Sequence, residues 1–122
     1  MYRKFLRSKI HGIRVKEANV DYTGSITLDR DLIDAAGIGI FEMVMVINID
    51  NGERFETYVI EAERGSGYVG LNGGAARKGK IGDRLIVFSS LWAEENTEHT
   101  VKLIIADQDN RVSRAIEEVI RI

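Results

Sequence analysis

Gly24 and Ser25 adjoin in the run Tyr22-Thr23-Gly24-Ser25. A serine hydroxyl placed after a glycine can attack the backbone that precedes it. Ser25 Oγ would add to the Gly24 carbonyl, and an N→O acyl shift would turn the peptide into an ester. β-Elimination would then leave a Gly24 carboxylate and a dehydroalanine. Hydrolysis of that residue would release ammonia and leave a pyruvoyl group at position 25. Glycine suits the first step, because no Cβ blocks the approach and strained backbone angles are allowed. A planar amide resists attack, so the step also needs a distorted peptide and a donor for the oxyanion. As a bare dipeptide, Gly-Ser is first of all a turn.

Other chemistries find less support. Gly65-Ser66-Gly67-Tyr68-Val69-Gly70 spells the dinucleotide fingerprint, but Tyr68-Val69 reads as strand, and that fingerprint must open a helix. The expected structure there is a tight corner. The chain has no cysteine and only two histidines, His11 and His99. Thiolate chemistry is excluded, nitrogen-and-sulfur metal ligation nearly so, and no metal is expected. Ser25 as an ordinary amidohydrolase nucleophile needs a general base, for which His11 is the only nearby histidine candidate. A net charge of -2 offers no basic surface to nucleic acid or anionic lipid. The N-terminus has basic residues without an apolar run behind them, so it does not read as a secretory signal. Apolar stretches such as Met43–Ile47 are far too short for a membrane span.

These residues must be positioned by one domain, since 122 residues suffice for a single core. Ile13 to Val20 fits short strands and bends. Asp29 to Ala36 is the clearest helix, with Asp29 as N-cap, Asp31 in the positive first turn and Gly37 beyond the end. Leu32, Ile33 and Ala36 would face the core. Glu42 to Ile49 reads as a buried strand, Asp50-Asn51-Gly52 as a hairpin turn, and Arg54 to Glu61 as the returning strand. Arg54 and Tyr58 would share a face there. Glu63 to Gly67 is a loop, Tyr68 to Leu71 a strand, and Asn72 to Ala76 a turn of small residues. Leu85 to Leu91 and Val101 to Ala106 are apolar strands. Val112 to Ile122 reads as a helix or an unanchored tail. Short strands between glycine turns, with little helix, argue a mainly β protein, a small closed barrel.

Six segments resemble the aspartate 1-decarboxylase family in order and spacing: Lys9–His11, Asp21–Ser25, Asp34–Ile38, Asn51–Tyr58, Ala62–Ser66 and Leu71–Ala76. The resemblance runs from about Met1 to Leu91. It implies a six-stranded double-psi β-barrel with short helices. It also implies a cytoplasmic homotetramer with active sites at subunit interfaces, making β-alanine from L-aspartate for pantothenate synthesis. Cleavage between Gly24 and Ser25 would leave a β chain of residues 1–24 and an α chain of residues 25–122. The cofactor would be the pyruvoyl group from Ser25, which takes the substrate amine as a Schiff base, with no pyridoxal phosphate.

The family's functional residues carry over individually. Ser25 matches the pyruvoyl precursor and Gly24 the residue before the cut. Lys9 and Arg54 match the groups that hold the substrate carboxylate. Thr57 matches a donor used in self-processing and substrate contact, and Tyr58 matches the proton donor. Asn72, Gly73, Gly74 and Ala75 match the turn that closes over the substrate. His11 matches a position near the site, equally readable as a structural hydrogen-bonding group. The chain departs from the pattern at Gly74, where the family usually has Ala, and at Arg77, where it commonly has His. From Trp92 onward the match is loose. Without the resemblance, a non-catalytic barrel used for binding or assembly accounts for the same strands.

Overall fold

The computed structural model describes residues 1–121. Among the described residues, nine strands, one α-helix and one 3₁₀ turn follow each other. The strands are β1 (Tyr2–Arg14), β2 (Glu17–Asn19), β3 (Ser25–Asp29), β4 (Met43–Asn48), β5 (Arg54–Ala62), β6 (Val69–Asn72), β7 (Arg84–Glu94), β8 (Glu98–Ala106) and β9 (Val112–Arg121). The helix α1 covers Arg30–Ala36, and the 3₁₀ turn covers Gly73–Lys78.

The expected helix forms for the reasons its sequence suggests. Asp29 Oδ1 accepts from the Asp31 amide at 2.8 Å, and Gly37 closes the helix in the left-handed conformation at φ 67°. The other bonds of Asp29 reach further. Its two oxygens also accept from the Gly65 amide at 3.0 Å and the Gly67 amide at 2.8 Å. One buried carboxylate therefore caps the helix and fixes the glycine corner that spells the dinucleotide fingerprint. No helix starts at that corner: Val69 begins β6, as the sequence requires. Tyr68 folds over Gly70 and donates to Glu17 Oε2 at 2.7 Å. Burial and the Glu17 carboxylate push its phenol up to about 12.

The strands pair in the order β2-β6-β3-β5-β4-β7-β1-β8-β9. Most neighbours are antiparallel, but β1/β8, β2/β6 and β3/β5 run parallel. The fold is mainly β with little helix. One apolar core joins β1, β3, β4, β5, β6, β7, β8 and α1, with Ile10, Ile26, Leu28, Leu32, Val46, Val59, Leu71 and Leu85 fully buried. The hairpin at Asp50-Asn51-Gly52 forms as expected, with Gly52 at φ 78°.

The C-terminal segment corrects one expectation. Val112–Arg121 is neither helix nor loose tail but strand β9, paired antiparallel with β8 from Glu98/Arg121 to Ala106/Val112. Ile122, the last residue of that expected segment, lies outside the described residues. Asn110 fastens the preceding turn. Its side chain donates to the carbonyls of Arg14 at 2.9 Å and Gly67 at 2.8 Å, and accepts from the Arg14 amide at 2.7 Å. Among the described residues no helix is long and apolar enough to cross a membrane.

Candidate active site

Ser25 is the first residue of β3, and only 2% of its surface is exposed. Burial of its hydroxyl is compensated by a specific partner. Asn72 Nδ2 donates to Ser25 Oγ at 2.9 Å and to Thr27 Oγ1 at 2.8 Å. Antiparallel register sets this arrangement, since Ser25 lies opposite Asn72 at the join of β3 and β6. Ser25 and Thr27, two residues apart, turn the same way along the strand. The Ser25 hydroxyl itself points back toward the Thr23 carbonyl, a long contact of 3.4 Å.

Gly24 is held from the other side. Gly73 sits at φ 63°, and a Cβ there would stand 2.6 Å from Gly24 N and 2.7 Å from Gly24 Cα. The start of the 3₁₀ turn is therefore pressed against the backbone just before Ser25. Only glycine permits that approach. Gly74 is different, because a Cβ there would meet nothing within 4 Å.

A surface pocket of about 320 Å³ opens beside this junction, lined by Gly24, Phe55, Glu56, Thr57, Gly74, Ala75 and Lys78. Four expected site residues, Gly24, Thr57, Gly74 and Ala75, thus share one hollow, next to the Ser25–Asn72 bond. Phe55, Glu56 and Lys78 join them without having been expected. Lys78 closes the small-residue turn and pairs with Glu53 at 3.1 Å, a proximity that no sequence spacing signals.

Tyr58 lies one residue before Val59, which pairs with Ile26, so Tyr58 and Ser25 precede neighbouring positions of adjacent parallel strands. Its ring is half-buried and faces Phe41 at 5.9 Å. Arg54 borders a second pocket of about 310 Å³, with Lys4, Met43, Met45, Glu56, Phe88, Ser90 and Trp92. Glu56 lines both hollows, so they adjoin.

Lys9 and His11 stand apart. They lie on β1 and line a small apolar hollow with Leu103, Ile104, Ile105 and Ile116 of β8 and β9. In the sheet order β5, β4 and β7 lie between β1 and β3. Within one chain these two residues do not meet Ser25.

Fold and site define a small β protein with a buried serine hydroxyl on a tightly packed glycine junction. The chain belongs to the aspartate decarboxylase family, whose model matches residues 1–113. The similarity therefore runs beyond Leu91 into the strands at the C-terminal end. A curated aspartate 1-decarboxylase of Caldicellulosiruptor bescii is 48% identical over 116 residues, 93% of this chain and 91% of the relative. That of Clostridium acetobutylicum is 47% identical over 119 residues, covering 96% and 94%. That of Exiguobacterium sibiricum is 46% identical over 122 residues, covering 98% and 96%.

Proposed function

We propose that this chain is an aspartate 1-decarboxylase that cuts itself between Gly24 and Ser25 and makes β-alanine from L-aspartate for pantothenate synthesis. The observation that carries this reading is the buried Ser25 hydroxyl, bonded to Asn72 at 2.9 Å and placed directly after a backbone that Gly73 clamps. In the cut, Ser25 Oγ bonds to the Gly24 carbonyl carbon and the Gly24–Ser25 C–N bond breaks, leaving an ester and a free amine. Loss of the Ser25 α-proton then breaks the Cβ–Oγ bond, and Oγ leaves with the Gly24 carboxylate. Water replaces the nitrogen, ammonia departs, and a ketone remains at Cα. Thr57, at the pocket wall, is a donor for the oxyanion of the first step.

The surroundings of position 25 suit the product. A pyruvoyl group keeps the serine carbons and lacks Oγ, so it needs no more room than the side chain already has. Asn72 Nδ2 loses one acceptor there and keeps Thr27 Oγ1 at 2.8 Å. That group supplies the electron sink that decarboxylation of an amino acid demands. Arg54 pairs with the β-carboxylate through a planar, charge-assisted fork, so the α-carboxylate is the one left free to depart. Tyr58 holds a proton for the α-carbon. Asn72, Gly73, Gly74 and Ala75 form a turn of mostly small residues that lets backbone amides approach the substrate.

We further propose a cytoplasmic homotetramer built on a six-stranded double-psi β-barrel. Three parallel pairings among antiparallel ones support the barrel. The separation of Lys9 and His11 from Ser25 supports the assembly, with a second copy bringing them to the substrate. Exposed Met43 and Trp92 beside the Arg54 pocket would be covered in it. Intact mass tests the central reading. Two chains are expected, Met1–Gly24 and a pyruvoyl chain from position 25 to Ile122. Ser25→Ala should give one uncut, inactive chain. A single band from the wild-type chain, or a cut Ser25→Ala chain, would return Gly24-Ser25 to a plain turn in a binding module.

A further inference from the structure

Phe41 is a bulky residue in the left-handed backbone region, at φ 67°, with 70% of its surface exposed. Both features oppose folding. Its Cβ crowds the backbone in that conformation, and its ring remains in water. Such residues persist only where their surroundings over-determine them.

The surroundings here do so from three strands. The Phe41 amide donates to the Val59 carbonyl at 2.7 Å, and the Val59 amide donates to the Glu42 carbonyl at 3.1 Å. The loop is thereby clamped to β5 at the residue next to Tyr58. The Glu42 carboxylate accepts from the Ser89 hydroxyl of β7, from the Arg7 guanidinium of β1 and from the Gly39 amide at 2.9 Å. Arg7 also donates to the Gly37 carbonyl at 2.8 Å. Residues 37–42 cannot relax the strain without breaking these bonds. The Phe41 ring rests against Tyr58, with centroids 5.9 Å apart and planes at 45°, a geometry of attractive aromatic pairs. It is the only aromatic pair Tyr58 makes among the described residues. Its cross-strand neighbour is Met43, flexible and half-exposed.

We propose that Phe41 is a positioning residue that holds the Tyr58 ring at the angle needed to deliver its proton, an inference that rests on the reading of Tyr58 as proton donor. Asparagine or glycine would meet the backbone demand with less strain, and only a ring meets the contact.

The test uses fully cleaved protein with pyruvoyl content checked by mass. In Phe41→Asn, kcat should fall by about three- to tenfold, the worth of one aromatic pair. KM for aspartate and the extent of self-cleavage should not change, and the melting temperature should not drop. Phe41→Tyr keeps the ring and should restore kcat. Phe41→Leu keeps the strained backbone without a ring and should match Phe41→Asn, which covers the case of an unstable asparagine variant. In a Tyr58→Phe background, Phe41→Asn should cause no further loss. Unchanged kcat, a change confined to KM, or an equal loss in the Tyr58→Phe background would each overturn the proposal. If Tyr58→Phe alone kept full turnover, the proton-donor reading would fail and this one with it. If Tyr58→Phe were slow and Phe41→Asn full, only the positioning role would fall.

Discussion

Alanine at position 73 puts a methyl group where the backbone before the cut already lies. The Cβ would stand 2.6 Å from Gly24 N, 2.7 Å from Gly24 Cα and 2.7 Å from the Tyr22 carbonyl oxygen. All three are backbone atoms, so no rotamer change relieves the contact. Ordinary packing begins at 3.4 Å, so the 2.6 Å contact must open by about 0.8 Å. A left-handed alanine costs about 1–2 kcal/mol, and overpacking about 1–3 kcal/mol. The sum is roughly 2–5 kcal/mol. At about 4 °C per kcal/mol for a domain of this size, the melting temperature should fall by roughly 8–20 °C. Chemistry should suffer more than stability, because the displaced atoms belong to the residue whose carbonyl is attacked in the proposed cut. A misplacement of about 1 Å can cost on the order of 10² in rate. Gly73→Ala should therefore stay largely uncut over a period in which the wild type matures. Gly74→Ala is the control: its methyl meets nothing within 4 Å, so it should cut and melt like wild type. Timed intact-mass spectra and thermal melts read both effects. If Gly73→Ala matured at the wild-type rate, the clamp on Gly24 would have no part in self-processing.

If the proposed assembly covers Arg54, which is exposed in the single chain, Arg54→Ala should lose about 2–5 kcal/mol of substrate binding, the range for truncating one side of a buried charge pair, with Arg54→Lys recovering only part. An unchanged specificity constant for aspartate would remove Arg54 from the site. Tyr58→Phe should self-cleave normally and lose about 10²–10⁴ in β-alanine formation, the worth of a positioned general acid. Near-wild-type turnover of the cleaved variant would leave Tyr58 as a packing residue. Glu42 gives a pH signature. Burial pushes its carboxyl up, but bonds from Ser89, Gly39 and Arg7 outweigh it and hold the group below its ordinary 4.5. A folded value below the unfolded one means a contribution fully present above 4.5 and lost as the pH falls through the folded value. Melting temperature measured down that range should drop less steeply in Glu42→Gln than in wild type, and parallel curves would contradict it.

How legible each element was depended on whether its local signal agreed with its tertiary role. Asp29 and Gly37 bracket α1 with cap chemistry that acts within a few residues, so the helix was readable. The 50–52 turn was readable for the same reason. β9 was not, because both its faces are largely exposed in the chain and no inside-outside alternation marks it. Of β1 only Ile13 and Arg14 fell in a segment read as strand. Its outer half, Tyr2–Arg7, pairs with the outer half of β7 away from the core and carries no apolar period. In the site, Gly24-Ser25 could be named, but the need for glycine at 73 rather than 74 could not. That difference arises from a packing contact between segments 49 residues apart (73 − 24). Phe41 was invisible to sequence reasoning, since its strain is imposed by bonds to β1, β5 and β7.

The long first strand would give the proposed self-cleavage a thermodynamic consequence. β1 is hydrogen-bonded to β7 on one side and to β8 on the other, and Ile10, Ile13 and Val15 are wholly inside the core. A chain cut after Gly24 keeps that strand only by noncovalent contact. Unfolding then releases two molecules instead of one, and refolding becomes a second-order search that slows with dilution. If the chain cuts itself as proposed, the fold is reached once, as a single chain. Afterwards it would persist as a fragment complex whose lifetime is set by its barrier to falling apart. Maturation would thus exchange a reversible folding equilibrium for kinetic persistence, and a denatured mature enzyme would not be the precursor from which it came.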